Sequence, residues 1–398
     1  MDTDAEITMR KASVNIIAIE LFLVLASVVL CLLFVEFGAR GYVKMFMPPQ
    51  TLYDYRLSSP LPYRGASYYS KEFIEESFRQ PDGWQFPDGT RLIIPNDFHG
   101  KYFNVVDGKR ITVGQPDVSE NTIYVFGGST IYNSEVPDDL TIPSFLQRLF
   151  SSNYGDRFKV ENLGTTTVTT AQQLERLKTI NLKPNDIVVF YDGVNDVLQG
   201  VYQANPEETM VETNRRIISE MGAGQRLLFY VFNWLQRRST FVKIFFDPYT
   251  HEGPEHLKDK ELVNILLAGM GKRYQGNIMA AASYAAAHDV LFFHFLQPQL
   301  FSKNGHSKYE KELMNNKYIV HAGTEYSFRA GYKVLKDVQG KFVSLFPNFD
   351  VSNALDDQSQ NDEYYLDFCH VEDKANEKIA RVIFERIKIF LDSHGQDD

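Results

Sequence analysis

The sequence predicts an α/β fold, a three-layer α/β/α domain around a parallel central sheet, preceded by an N-terminal transmembrane helix. Three observations predict it. From Thr122 onward, short continuous apolar runs alternate with helical patterns, which is how strands covered on both faces by crossover helices read. The segment Val14–Val35 is apolar apart from Asn15, Ser27 and one charge, Glu20, and matches the roughly 20 residues a bilayer-spanning helix needs. The chain closes on "KANEKIARVIFERIKIFL", whose apolar residues recur at helical spacing.

The 398 residues suffice for one large domain with additions, and a hydrophobic content of 44% beside 23% charged residues is that of a folded globular protein. A formal net charge of -10, with no long Lys/Arg run, argues against nucleic acid as a partner. Two cysteines, Cys31 and Cys369, make no disulfide framework.

The elements follow in order. Residues 1–13 form an N-terminal tail and 14–36 the transmembrane anchor, flanked by Arg10 and Lys11 on one side and Arg40 and Lys44 on the other. This symmetry leaves the positive-inside rule undecided. No small-residue cleavage site follows the apolar run, so an uncleaved anchor is expected over a signal peptide. Residues 37–118 read as linker plus a small β-rich accessory region. "MPPQTLYDYRLSSPLPYRGASYYS" is expected to be extended rather than helical, and Asp107-Gly108 in "KYFNVVDGKRITVG" marks a hairpin. Then come the strand "TIYVFGG", the helix "TIPSFLQRLF", the strand "FKVENLG", the helix "TAQQLERLKTI" and the strand "PNDIVVFYDG". A helical insertion is expected at about residues 200–290. The strand "VLFFHFLQP" and a short strand near Phe349–Val351 precede the terminal helix.

The turn that ends the first of these strands, "IYVFGGSTIY", poses the functional question. A P-loop needs Lys-Ser/Thr after its glycines, and a dinucleotide fingerprint needs a third glycine where Ile131 stands. Both readings fail. Ser129 as a helix cap remains open, but Asp367 and His370 stand three apart on the loop before the last helix. A serine hydroxyl becomes a nucleophile when a base takes its proton, and that base works best with a carboxylate fixing its tautomer. Strand-end loops of a doubly wound sheet gather on one rim, so Ser129 and His370 can meet there. Gly164 and Asn195, after the second and third strands, are candidate oxyanion donors through a backbone N–H and a side-chain amide.

Other constellations are weaker. His251 and His256 in "HEGPEH" are five apart with Gly and Pro between them, which does not give the i, i+4 face of a zincin, so no metal is expected. Asp192 and Asp196 read as loop acids, and Cys369 as a structural thiol.

The four blocks "VFGGST", "ENLG", "DGVND" and "DFCHVEDKAN" resemble, in order, those of the SGNH hydrolases, or GDSL-type esterases, over most of residues 120–398. The resemblance implies a flavodoxin-like SGNH fold over 119–398, with Ser129 as nucleophile, His370 as base and Asp367 orienting it. It implies an oxyanion hole of Ser129, Gly164 and Asn195, and no cofactor. Gly128 stands where the family's Gly-Asp-Ser has aspartate. The implied function is a membrane-anchored serine esterase acting on O-acyl esters, acetyl esters in the first place, of a carbohydrate or surface polysaccharide. The catalytic domain would lie outside the cytoplasm, as in the periplasm. An O-acyltransferase using the same residues, a lipase or thioesterase, and a non-catalytic scaffold are the alternatives. The oligomeric state does not follow from the sequence.

Overall fold

The computed structural model describes residues 2–46, 52–58, 60–79, 84, 85, 87, 90–202, 218–242, 255–316, 320 and 323–394. The chain divides into two compact units, residues 1–50 with 215–250 and residues 51–214 with 251–398.

In the larger unit, helix α2 (Leu52–Leu57) lies within the stretch expected to be extended, and α3 (Lys71–Arg79) follows it directly. Their sequences, "LYDYRL" and "KEFIEESFR", are short, and α2 is flanked by prolines. The aromatic residues Tyr63 and Phe73, packed with Phe103 and Leu366, show tertiary burial overriding the local turn signals. Strands β1 (Phe98–His99), β2 (Asn104–Val106) and β3 (Lys109–Arg110) follow. Asp107 and Gly108 turn the β2–β3 hairpin with φ of 52° and 68°, the two positive values a type I′ turn demands. This hairpin is not a separate accessory piece. It extends the central sheet, Arg110 pairing antiparallel with Asn162.

The apolar runs form β4 (Asn121–Gly127), β5 (Phe158–Gly164), β6 (Ile187–Asp192), β7 (Leu291–Leu296) and β8 (Asn348–Asp350). The sheet order is β8-β7-β6-β4-β5-β3-β2-β1, and the five strands from β8 to β5 are mutually parallel. Counted along the chain, that parallel core has the 2-1-3-4-5 order of doubly wound flavodoxin-like sheets. The switch point falls between β4 and β6, whose carboxyl ends are Gly127 and Asp192.

The intervening helices are α4 (Ser129–Tyr132), α5 (Ile142–Tyr154), α6 (Thr170–Leu177) and α7 (Val194–Tyr202). Next are α8 (Ala223–Arg238) in the smaller unit, and α9 (Lys260–Ala286), α10 (Lys308–Met314), α11 (Thr324–Gln339) and α12 (Asp373–His394). The two sheet faces are filled differently. Ile123 and Val125 pack with Phe145 and Phe150 of α5 and Ile379 and Ile383 of α12. Phe126, Val188 and Phe190 pack with Leu267 and Tyr274 of α9 and Phe328 and Leu335 of α11. Alternate residues of a strand point to opposite faces, so β4 serves both layers. Part of the region expected as insertion is therefore a layer helix, α9.

In the smaller unit, α1 (Asp2–Phe46) holds an apolar span, Leu21–Tyr42, long and apolar enough to cross a membrane. Its large side chains are exposed along that span.

Candidate active site

The site forms where β4, β6 and the loop before α12 reach the sheet's carboxyl rim. β4 ends at Gly127, and Gly128 caps α4 with Ser129 as its first helical residue. First-turn N–H groups have no acceptor within their own helix, so the Ser129 amide is not consumed by α4. An added Cβ on Gly128 would collide with Asn195 Nδ2. A side chain at position 128 would therefore displace the Asn195 amide from where it stands. Asn195 sits in the first turn of α7, after Gly193, whose φ of 117° makes the reversal out of β6. Its Nδ2 also donates to Val168 O at 2.9 Å.

His370 Nε2 lies 2.7 Å from Ser129 Oγ, and His370 Nδ1 lies 2.7 Å from Asp367 Oδ2. The three residues come from positions up to 241 apart in sequence, and they form one hydrogen-bonded line. With Nδ1–H donated to the carboxylate, Nε2 is free to accept the serine proton. Asp367 Oδ1 accepts the backbone N–H groups of Cys369 and His370 at 2.9 and 2.8 Å. The loop is closed by Leu366 N–H donating to His370 O and by a bridge between Tyr365 and Val371. Asp-x-x-His therefore works as a folded unit, in which the acid is both an anchor for its own loop and the partner of the imidazole.

Burial alone would raise the Asp367 carboxyl, but the charge and hydrogen bonds of His370, with Arg56 nearby, hold it well below the usual carboxylate range. Burial would lower His370, and Asp367, Cys369 and Glu135 outweigh that to hold it well above the ordinary imidazole range. Asp367 is buried, whereas the His370 side chain is 17% exposed and Ser129 is half-buried. The hydroxyl and the imidazole reach solvent and the carboxylate does not.

Gly164 departs from expectation. Its N–H donates to Asn162 Oδ1 at 2.9 Å, so this amide is not presented to an oxyanion. The neighbouring turn is built differently. Thr167 adopts φ 60°, a conformation that costs a residue with a Cβ and persists where the surroundings hold it. Gln199 of α7 donates to Thr167 O, and Asn195 grips the next carbonyl, Val168 O. No glycine marks this turn in the sequence, so no local signal points to it.

Two more residues escape sequence reading. Arg56 of α2 is 3% exposed, and its Nη2 lies 2.6 Å from Glu135 Oε1 and 3.7 Å from Asp367 Oδ2. A buried cation thus stands behind the acid, and a buried anion stands behind the cation. Nothing near "YDYRLSS" announces this, because the partners are distant in sequence.

Asp367, Cys369 and His370 place ligand-type atoms within 4.8 Å of one another, but the set does not fit a metal. Burial first, with Asp367 adding to it, pushes the Cys369 thiol up to about 11, so no thiolate is offered. Both imidazole nitrogens and both Asp367 oxygens are already engaged. His251 lies outside the described residues, and His256 Nε2 bonds to Val201 O at 2.6 Å. Asp196 is not a solvated loop acid: it is buried and accepts from Thr170 N and Oγ1.

No family model matches the sequence, and no curated protein matches it significantly. Solved structures do. The chain is similar to an acetylxylan esterase from Geobacillus stearothermophilus (12% identity over 70% of this chain and 96% of that one, TM-score 0.36). It is also similar to a GDSL-like lipase from Bacteroides thetaiotaomicron (14%, 70% and 93%, TM-score 0.34). A third is a psychrotrophic esterase from Pseudoalteromonas (13%, 68% and 99%, TM-score 0.32). At these identities and overlaps, a function for this chain has to stand on the geometry of its own site.

Proposed function

We propose that this chain is a membrane-anchored serine hydrolase of the SGNH type, cleaving O-acyl esters through an acyl-serine intermediate. The observation that carries the reading is the hydrogen-bonded line from Ser129 Oγ through His370 to Asp367. In the first step the Ser129 proton passes to His370 Nε2 as Oγ bonds the acyl carbon. The tetrahedral oxyanion collapses, the bond to the alcohol oxygen breaks, and His370 returns its proton to that oxygen. Water then repeats the sequence on the acyl-serine.

The oxyanion donors we assign are the Ser129 N–H, Asn195 Nδ2 and an amide of the Thr166–Val168 turn. Asn195 abuts the nucleophile turn and the rim turn together, which favours this set over one containing Gly164. The apolar span of α1 supports anchoring. An O-acylated carbohydrate outside the cytoplasm is the substrate class that the family resemblance implies.

A fluorophosphonate probe on the full chain in detergent tests the site, with Ser129→Ala as control. Labelling of the wild type and none of the variant is expected. Labelling that survives Ser129→Ala places the nucleophile elsewhere and overturns the reading. Short- and long-chain aryl esters then test the substrate class. Preference for long chains would replace the carbohydrate esterase with a lipase or thioesterase.

A further inference from the structure

An apolar helix face outside the active site has no cover among the described residues. Along α8, Leu227, Leu228, Val231 and Trp234 stand at i, i+1, i+4 and i+7, one side of a helix. They are 65, 70, 45 and 54% exposed. Contiguous apolar surface of this kind marks an interaction site rather than ordinary protein surface. At the end of the stripe the Arg238 guanidinium sits 5.1 Å over the Trp234 ring. Tryptophan and arginine together are typical of a helix at the headgroup level, where one end of each side chain is apolar and the other polar.

The occupant follows from what α8 is tied to. α8 shares its compact unit with α1, and the tie is Glu36, a carboxylate inside the apolar span Leu21–Tyr42. Its Oε1 accepts from Arg40 Nε at 2.7 Å and Thr240 N at 2.8 Å. Its Oε2 accepts from Ser239 Oγ at 2.8 Å and Phe241 N at 3.1 Å. Arg40 Nη2 donates in turn to Arg238 O at 3.3 Å. An acid within an apolar span is costly unless satisfied, and here the turn after α8 satisfies it. That turn is thereby fixed about 9 Å along the helix from the Tyr42 end of the span, at a rise of about 1.5 Å per residue. The 16 residues of α8 extend about 24 Å, short of the roughly 30 Å hydrocarbon layer.

We propose that α8 is an interfacial membrane helix, lying beside the anchor with its Leu227–Trp234 face in the lipid. This rests on reading α1 as a membrane span. The chain then meets the bilayer at two places, and the turn at Glu36 fixes the end of one to the other.

Trp84 and Trp234 are the two tryptophans of the chain, which gives a direct test. The full chain carrying Trp84→Phe is reconstituted into phosphatidylcholine vesicles brominated at shallow or deep acyl positions. A second reporter carries Trp84→Phe, Trp234→Phe and Leu32→Trp, placing its indole in the middle of the α1 span. Trp234 fluorescence should be quenched, and more by shallow than by deep bromines, because interfacial helices sit about 5–10 Å into the headgroup–acyl boundary. No quenching of Trp234 beside strong quenching of the Leu32→Trp reporter overturns the proposal and leaves the anchor standing. No quenching of either overturns both. Trp234 unquenched by lipid bromine yet shielded from aqueous iodide also overturns it, because a protein then covers the face.

Discussion

Glu135→Gln and Arg56→Met should move the acid limb of the reaction in opposite directions. In the proposed mechanism His370 must be neutral to take the Ser129 proton, so activity should rise as pH climbs through the His370 pKa, which is held above the usual imidazole range. Glu135 is, with Asp367, one of the carboxylates that raise it. Removing its charge in Glu135→Gln lowers the His370 pKa and carries the acid limb to lower pH. Removing the Arg56 cation leaves Asp367 and Glu135 uncompensated, favours the imidazolium and carries the limb to higher pH. Tyr55, Tyr63 and Tyr309 also face Asp367. They stay neutral in this range, because burial pushes all three phenols up.

The structure bounds the magnitudes. From Arg56 Nη2 to His370 Nδ1 the path through Asp367 Oδ2 has links of 3.7 and 2.7 Å, so the charges are within about 6.4 Å of one another. At that distance Coulomb's law gives about 2.6 kcal/mol at an effective dielectric of 20 and about 0.6 at 80. These correspond to about 2 and about 0.5 pH units at 1.36 kcal/mol each. Adding the 2.6 Å link to Glu135 bounds its distance at about 9 Å, which gives about 1.4 to 0.3 units by the same relation. The assay is the rate of fluorophosphonate labelling of the full chain against pH, with circular dichroism to confirm folding. Breaking a buried pair costs about 3–5 kcal/mol of stability, so the lower end of the pH range is read at reduced temperature. Shifts of the same sign in both variants, or no shift in either, refute the electrostatic role and leave Arg56 a packing residue.

Gly128→Ala should fold and yet lose about 10²–10³ in kcat, the loss typical of removing one oxyanion donor, because the new methyl takes the place of Asn195 Nδ2. Aryl-ester kinetics check this, and an unchanged kcat would remove Asn195 from the oxyanion hole. Asp196 is raised to about 7, by burial first and then by Asp192. A carboxyl whose folded value exceeds its unfolded one binds its proton more tightly when folded, so stability falls as pH rises from about 4 to about 7. Urea denaturation should show that fall in the wild type and a flatter profile in Asp196→Asn. Equal slopes would mean that Asp196 titrates normally.

What the sequence made legible is what depends on local chemistry. Asp107-Gly108 needs only its own backbone preferences to specify a turn, and Asp367 with His370 closes a loop of its own. Ser129 and Asn195 stand out because each polar residue interrupts an apolar strand at its carboxyl end. Pairing across the sheet is another matter. That β3 joins β5 through Arg110 and Asn162 depends on which edge is left open once β4 to β8 have assembled, and no residue in the hairpin carries that information. Gly164 fails for a related reason. Its missing side chain suggested an open amide, but whether a neighbour's side chain folds back onto that amide is decided by the packing around Asn162.

Arg56 and Glu135 mark the limit most sharply. An arginine among prolines, tyrosines and serines reads as a solvated linker residue, because burying a guanidinium is costly without compensation. The compensation comes from two acids, 79 and 311 positions further on, and it exists only after α2 docks through the aromatic cluster of Tyr63, Phe73 and Phe103. The four blocks therefore contain the groups we propose to exchange protons, while the field around them is set by a segment those blocks do not contain. Any truncation that removes residues 51–79 to obtain a minimal catalytic fragment should keep Ser129, Asp367 and His370 and still change the pH at which they work.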